Sequence, residues 1–167
     1  MDSGHKVRIF ARTPENNYNN ESVQFYEGSI LDEESVLKAS EGVDGIFHLA
    51  AQVIHSRLPA HADTVRASAV VGTMNVMRAA SKVKCRVVYA STSGTVGCSR
   101  TPTTANDSSP YVTEIVKHWP YYMAKIEAEM KAKKFAKEKG VELVIIRPTM
   151  MFGPGDDRCL LLYCFVG

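Results

Sequence analysis

Short apolar runs alternate with helix-forming stretches along the whole chain. The apolar runs have the length, the β-branched content and the bounding turn residues of strands, and they occupy residues 6–11, 23–28, 43–51, 85–91 and 141–148. The stretches between them have helical periodicity, at residues 31–40, 63–81 and 121–140. Strands that alternate with helices predict an α/β fold with a parallel sheet and helices on both faces.

Capping residues set the ends of these helices. Asp32 is placed as an N-cap, Pro120 opens the third helix, and Gly140 closes it. The residues from about 92 to 119 form a long polar loop. Ligands of open α/β sheets bind at the carboxyl ends of the strands, so the loops that follow the strands should line one crevice.

Composition excludes several classes of protein. The 167 residues suit one domain, and a net charge of +2 without a long run of one sign argues against nucleic-acid binding. The four cysteines and five histidines lack the spacing of a zinc site, and the longest apolar run, 159–166, is too short to span a bilayer. With no signal peptide, we expect a cytoplasmic protein. The basic run 131–139, flanked by Glu129 and Glu138, is interpreted as a solvent-exposed helix face.

Candidate chemistry begins at "PYYMAK", residues 120–125. Tyr121 and Lys125 lie four residues apart and form either an ordinary surface pair or an acid–base pair. Helical spacing puts both on the small apolar face with Ala128, Ala132, Phe135 and Ala136. A buried ammonium is costly unless something uses it, which favours chemistry. The hydroxyl-rich "STSGTVG" at 91–97 follows a strand and would face the same crevice, although Ser and Thr are also common turn residues.

Six segments resemble, in order and spacing, the extended short-chain dehydrogenase/reductase family, in its NAD-dependent epimerase/dehydratase group and its dihydroflavonol-reductase-like branch. The resemblance covers about residues 4–158 and is carried by "GHKVRIFAR", "GVDGIFHLAA", "GTMNVMRAA", "VVYASTSGTVG", "YYMAK" and "RPTMMFGPGD". It implies a Rossmann-type doubly wound parallel sheet.

The resemblance also implies roles for the crevice residues. Tyr121 would be the acid–base residue, Lys125 would bind the nicotinamide ribose, and the Thr92 hydroxyl would orient the substrate oxygen. A free phenol has a pKa near 10, so acting as a base at neutral pH requires about 4 kcal/mol of stabilisation of the phenolate. The Lys125 ammonium one turn away is the expected source, together with the positive nicotinamide ring.

A set of residues matches the positions that contact the cofactor in the family. They are Arg12, Ser29, Ile30, Leu49, Ala50, Ala51, Tyr121, Lys125 and Pro148. An arginine at position 12, where the adenosine ribose lies, favours the 2′-phosphate of NADP over NAD.

The resemblance implies an NAD(P)-dependent oxidoreductase that transfers hydride to or from a carbonyl or alcohol of a small organic substrate. A nucleotide-sugar epimerase or dehydratase is the alternative, since it uses the same residues, and a catalytically inactive fragment is another. Outward apolar residues, namely Met74, Met77, Met123, Ile126 and Met130, suggest a homodimer through helices 63–81 and 121–140.

The sequence also departs from the family. Ser29 replaces an aspartate and Ala69 replaces an asparagine that commonly helps shape the active site. The strand and GxxGxxG loop that open the family would precede Met1, and the family's substrate domain would follow about residue 155. We therefore expect a fragment that lacks both, with a partial dinucleotide-binding domain at 1–158 and an unmatched tail at 159–167. Without its central strand the isolated chain is expected to be insoluble or molten, unless the strands at 6–11 and 43–51 pair directly.

Overall fold

The computed structural model describes residues 4–13, 22–54, 58–151 and 153. Its strands are β1 (Val7–Ala11), β2 (Val23–Glu27), β3 (Gly45–His48), β4 (Arg86–Ala90) and β5 (Leu143–Ile146). Its α-helices are α1 (Glu33–Ser40), α2 (Ala62–Arg66), α3 (Gly72–Val83), α4 (Thr113–Val116) and α5 (Pro120–Lys139). Short 3₁₀ turns occupy Pro59–His61 and Ser93–Thr95. The 159–167 tail lies outside the described residues.

The predicted helix ends are confirmed. The Asp32 carboxylate accepts hydrogen bonds from the backbone N–H groups of Glu34 and Ser35 at the start of α1. Pro120 is the first residue of α5, where its missing N–H costs nothing, and Gly140 ends the helix with a φ of 69°. Within the described residues, no helix is both long and apolar enough to cross a membrane.

All strand pairs are parallel, and the described strands form two separate sheets. β1 pairs with β2, while β3, β4 and β5 form a three-stranded sheet in that order. The fold is therefore the expected Rossmann-type α/β arrangement with an incomplete sheet. β1 and β3 do not pair with each other, so the direct pairing considered from the sequence does not occur.

The core lies on one face of the β3–β4–β5 sheet. Alternate strand residues enter this core together with side chains of α1, α3 and α5, and these strand residues are Ile46, Val87, Tyr89, Leu143 and Ile145. Both steps, from β3 to β4 and from β4 to β5, run in the same direction across the sheet. Right-handed crossovers therefore place both connecting helices on the same side.

The opposite face of this sheet is exposed in the described part of the chain. Phe47 of β3 is 74% exposed, and Val144 and Ile146 of β5 are 48% and 42% exposed. The sequence predicts helices on both faces of the sheet, whereas the described residues cover only one face of β3. An apolar strand sequence such as that of β3 therefore does not mean that the described residues cover both faces of the strand.

The predicted helix at 63–81 consists of three segments. α2 is followed by a π-helical turn, Ala67–Val71, and then by α3. The Gly72 N–H donates to the Ala67 carbonyl five residues earlier, as one extra residue in the turn requires. The π turn contains Ala69, which packs against Tyr121.

The one-sided core gives an expected stability difference between two valines on adjacent strands. Val87→Ala removes two methyl groups from a side chain that is 1% exposed, and should lower the free energy of unfolding by about 2 kcal/mol. Val144→Ala changes the exposed face and should cost less than about 1 kcal/mol. Urea unfolding of both variants measures the difference. Equal losses would show that both faces are covered.

Candidate active site

The face of α5 that carries Tyr121 and Lys125 is buried, as its spacing predicted. Tyr121 is 8% exposed, Lys125 is 2% exposed, and Ala128 and Ala132 are fully buried. The two alanines pack in the core beneath α3 and β4. Their small side chains let α5 lie close to the sheet, so the lysine is held at the carboxyl end of β4 rather than in solvent.

The Lys125 ammonium is bound to the last residue of β4. Its Nζ donates a hydrogen bond of 2.9 Å to the Ala90 carbonyl and lies 4.9 Å from the centre of the Tyr89 ring. Burial lowers the pKa of Lys125 to about 8, although the negative charge of Glu129 partly opposes that shift. An amine with a pKa this near neutrality is typical of a functional site.

Tyr121 packs at the start of α5 against the π turn. Tyr121 belongs to a small apolar cluster with Val65 and Ala69, and its ring meets that of Tyr122 edge to face at 5.3 Å between centroids. Burial, followed by the charge of Tyr122, raises the pKa of the Tyr121 phenol. The lowering expected from Lys125 together with the nicotinamide ring stays a prediction. In this structure the Lys125 ammonium is directed to the Ala90 carbonyl and the Tyr89 ring.

Thr92 lies two residues beyond β4, in extended backbone. Its Oγ1 accepts a hydrogen bond of 3.3 Å from the Gly94 N–H, so the hydroxyl proton is left to donate elsewhere. The next residue, Ser93, donates its N–H to the Pro148 carbonyl at 2.9 Å. The loops after β4 and β5 are therefore joined by a hydrogen bond between Pro148 and the residue that follows Thr92.

The other candidate cofactor residues follow the carboxyl ends of their strands. Arg12 directly follows β1 and is exposed. Leu49 directly follows β3 and is 66% exposed, and Ala50 and Ala51 come next. Their shared location agrees with a ligand that crosses the carboxyl edge of the sheet.

Ser29 and Ile30 occupy the turn between β2 and α1. The Ser29 hydroxyl accepts from the Leu31 N–H at 3.2 Å, and the Ile30 carbonyl accepts from Asn75 Nδ2 at 2.8 Å. A Cβ on Gly72 would lie 2.5 Å from Ile30 Cδ1, so only glycine lets α3 approach this turn so closely. The turn is thereby fixed against α3.

The residues at this edge fit a nicotinamide dinucleotide. An ammonium has three N–H donors, and Lys125 uses one on Ala90, which leaves donors for ribose hydroxyls. Thr92 and Tyr121 supply a hydroxyl and a phenol on the neighbouring elements. The described part of the chain holds no group of three or more His, Cys, Asp or Glu side chains that could bind a metal ion.

Sequence reasoning missed two buried polar groups beside the candidate residues. Glu129, interpreted from the sequence as part of a solvent-exposed face, is fully buried and bound to Arg147. His48 is 3% exposed, and its Nε2 lies 3.0 Å from the Thr73 hydroxyl. Burial, aided by the Lys125 charge, lowers the pKa of His48 to about 4, so this histidine is neutral. The spacing of Glu129, four residues after Lys125, was the available signal.

Curated relatives with assigned activities resemble this chain over 92% of its length. Cinnamoyl-CoA reductase 1 of Petunia hybrida is 34% identical over 170 residues, and the bifunctional dihydroflavonol 4-reductase/flavanone 4-reductase of Pyrus communis is 27% identical over 173. In each case the match covers 49% of the relative, so the chain spans about half the length of these proteins.

A solved structure shows the same fold. The dTDP-glucose 4,6-dehydratase DesIV of Streptomyces venezuelae, determined with NAD bound, is 27% identical, with a TM-score of 0.72 over 81% of this chain and 41% of the other. The model of the NAD dependent epimerase/dehydratase family matches residues 1–162. With this match and the 34% identity to a reductase, the chain belongs to the NAD dependent epimerase/dehydratase family, within the extended short-chain dehydrogenases/reductases.

Proposed function

We propose that this protein is an NADP-dependent reductase that acts on a carbonyl group of a small organic substrate. The observation that carries the proposal is the buried Lys125 ammonium, fixed to the carboxyl end of β4 beside Thr92 and on the same helix face as Tyr121. A structural role does not require an ammonium at this position, since an apolar side chain would fill the seam without the cost of burying a charge.

The phenol of Tyr121 suits the direction of reduction. Because burial raises its pKa, Tyr121 holds its proton at neutral pH and has it available for the carbonyl oxygen of a substrate. Thr92 presents a hydroxyl that would orient that oxygen. Lys125 would hold the ribose of the nicotinamide cofactor, which supplies the hydride when bound.

The relatives favour a reductase over the alternative. Cinnamoyl-CoA reductase 1 and the dihydroflavonol 4-reductases are named for the reduction of organic carbonyl compounds, and the former is 34% identical to this chain. The neighbouring DesIV structure is a nucleotide-sugar dehydratase at 27% identity. A nucleotide-sugar epimerase or dehydratase is therefore the second candidate, since it would use the same three residues.

The preference for NADP is supported by Arg12. This residue directly follows β1 and is exposed at the carboxyl edge of the sheet. A guanidinium there has its donors available for the 2′-phosphate that distinguishes NADP from NAD. NAD is the alternative cofactor, because an exposed arginine also occurs without a ligand.

We propose in addition that the protein forms a homodimer through α2 and α5. A groove of about 340 Å³ runs between these helices, lined by Ala62, Arg66, Thr113, Pro120, Met123, Ala124, Ile126, Glu127 and Met130. Met130 is 55% exposed. Of the residues expected on this surface, Met77 faces the core instead, and Ile126 lines the groove with only 2% of its surface exposed.

Tyr121 and its neighbour Tyr122 form a matched pair for testing the reaction. Tyr121→Phe should lower kcat by about 10²-fold or more, because it removes the proton donor, while Tyr122→Phe should stay within about threefold of wild type. The measurement is NADPH oxidation with a panel of organic carbonyl compounds. Turnover of nucleotide sugars, with no carbonyl compound accepted by the wild type, would reverse the ranking of the two candidate functions.

Arg12→Ala tests the cofactor preference. If Arg12 binds the 2′-phosphate, its loss should weaken NADPH binding by about tenfold to a hundredfold and leave NADH binding unchanged. Arg86→Ala is the control, since Arg86 is an exposed arginine at the amino-terminal end of β4, away from the carboxyl edge of the sheet. Calorimetric titration measures both cofactors. Equal weakening for NADPH and NADH would refute a phosphate contact.

Met130→Glu tests the dimer. A charge placed in the proposed contact should turn dimers into monomers in sedimentation velocity, because burying a carboxylate in a contact costs several kcal/mol of desolvation and Glu127 already places one carboxylate in the groove. Lys134→Glu, at a side chain that is 78% exposed on the same helix, should leave the association state unchanged. A wild-type protein that stays monomeric at high concentration would disprove the contact.

A further inference from the structure

Glu129 is a buried carboxylate on the same seam of α5 as the candidate catalytic residues. It lies one helical turn after Lys125, and its side chain is 0% exposed. A carboxylate is almost never fully buried unless it is paired, so its surroundings should explain its presence. The proposed reaction assigns it no part.

The Glu129 carboxylate is held by three side chains from outside its own helix. Arg147 donates from Nη2 to Oε2 at 2.6 Å and from Nε to Oε1 at 3.1 Å, which makes a two-point contact. The Thr95 hydroxyl donates to Oε1 at 3.1 Å, and the Tyr111 hydroxyl donates to Oε2 at 3.0 Å. The arginine side chain is itself only 11% exposed.

These partners belong to the segments that carry the other candidate residues. Arg147 directly follows β5 and precedes Pro148. The Thr95 hydroxyl also lies 2.9 Å from the Thr92 carbonyl, so its proton is shared between that carbonyl and Glu129. One carboxylate therefore joins α5, which bears Tyr121 and Lys125, to the loops after β4 and β5.

The charge of Glu129 also acts on Lys125. Burial alone raises the pKa of the Glu129 carboxyl, but its hydrogen bonds, led by that from Arg147, outweigh this and hold the pKa below its usual range. The carboxylate is therefore ionised. The titratable groups that act on the Lys125 ammonium are His48 from β3, Tyr89 from β4 and Glu129 from α5. Tyr121 lies one turn earlier on the same helix face. Among these, only Glu129 is negative at neutral pH.

We propose that Glu129 is a positioning residue of the active site, which locks α5 onto the loops after β4 and β5 through Thr95 and Arg147 and stabilises the charged form of Lys125. The catalytic meaning of this inference rests on the proposed reductase function. The physical statement does not, because the protonation of Lys125 is measurable in the absence of any reaction.

The test is an NMR titration of the protein labelled with ¹³C at the lysine Cε positions. The Lys125 signal is identified by its loss in Lys125→Met. In the wild type its midpoint should lie at about 8. Glu129→Gln keeps the shape of the side chain but removes its charge, and should lower the midpoint by about one pH unit, a tenfold loss of proton affinity.

Glu127→Gln is the matched control on the same helix. Glu127 pairs with Arg66 and Lys131 and is 31% exposed, so its neutral variant should leave the Lys125 midpoint unchanged. If Glu129→Gln does not fold, the double variant Glu129→Gln/Arg147→Gln removes both buried charges together and should again titrate below the wild type. A wild-type midpoint in a folded Glu129 variant would overturn the inference.

The pH profile of carbonyl reduction separates this inference from the proposed function. If both hold, the pH at which kcat/KM falls on the alkaline side should move down in Glu129→Gln, in the same direction as the NMR midpoint of the free protein. Absence of turnover in the wild type, with the NMR shift present, would refute only the reductase function. Turnover with an unmoved midpoint would refute only the role of Glu129.

Discussion

The buried ammonium of Lys125 is the constraint on which the candidate site depends. Lowering its pKa from 10.5 to about 8 corresponds to about 3 kcal/mol of destabilisation of the charged form in the folded protein. At neutral pH this destabilisation of the folded state is fully present. It decreases only as pH rises above about 8, where the folded state releases the Lys125 proton before the unfolded state does. A domain has a total stability of only about 5–15 kcal/mol, so such a group persists where function requires it.

The surroundings of Lys125 reduce the free-energy cost of burying its charge. The Ala90 carbonyl and the Tyr89 ring receive the ammonium, and Glu129 supplies a negative charge one turn away. Glu129 would itself be costly to bury, but Arg147 neutralises it with a two-point contact. The positive and negative groups thus form a chain in which each buried charge is compensated by the next. The chain ends at the exposed Asp107, whose carboxylate accepts a hydrogen bond of 3.3 Å from Arg147 Nη1.

Sequence reasoning located the residues whose positions follow from short-range spacing. The helical period placed Tyr121 and Lys125 on one buried face, and the alternation of strands and helices placed Thr92 and Pro148 at a common sheet edge. Glu129 was assigned to the solvent-exposed face because a charged residue beside a basic run looks solvated. Its partners Thr95, Tyr111 and Arg147 lie 18 to 34 residues away, so no local pattern reveals them. The π turn was missed because one extra residue hardly alters the hydrophobic pattern of a helix.

Spacing also left open how Tyr121 and Lys125 interact. Spacing says that Tyr121 and Lys125 share a face, but it does not say where the ammonium points, and the backbone carbonyl at the end of β4 competes for it. With the phenol kept protonated by burial and the amine close to its pKa at neutral pH, the two groups differ in what they can do. The phenol has a proton to give, while the amine changes charge within the physiological range. Burial therefore has opposite effects on the pKa values of two groups one helical turn apart. It keeps Tyr121 a proton donor and makes Lys125 a cation that can titrate.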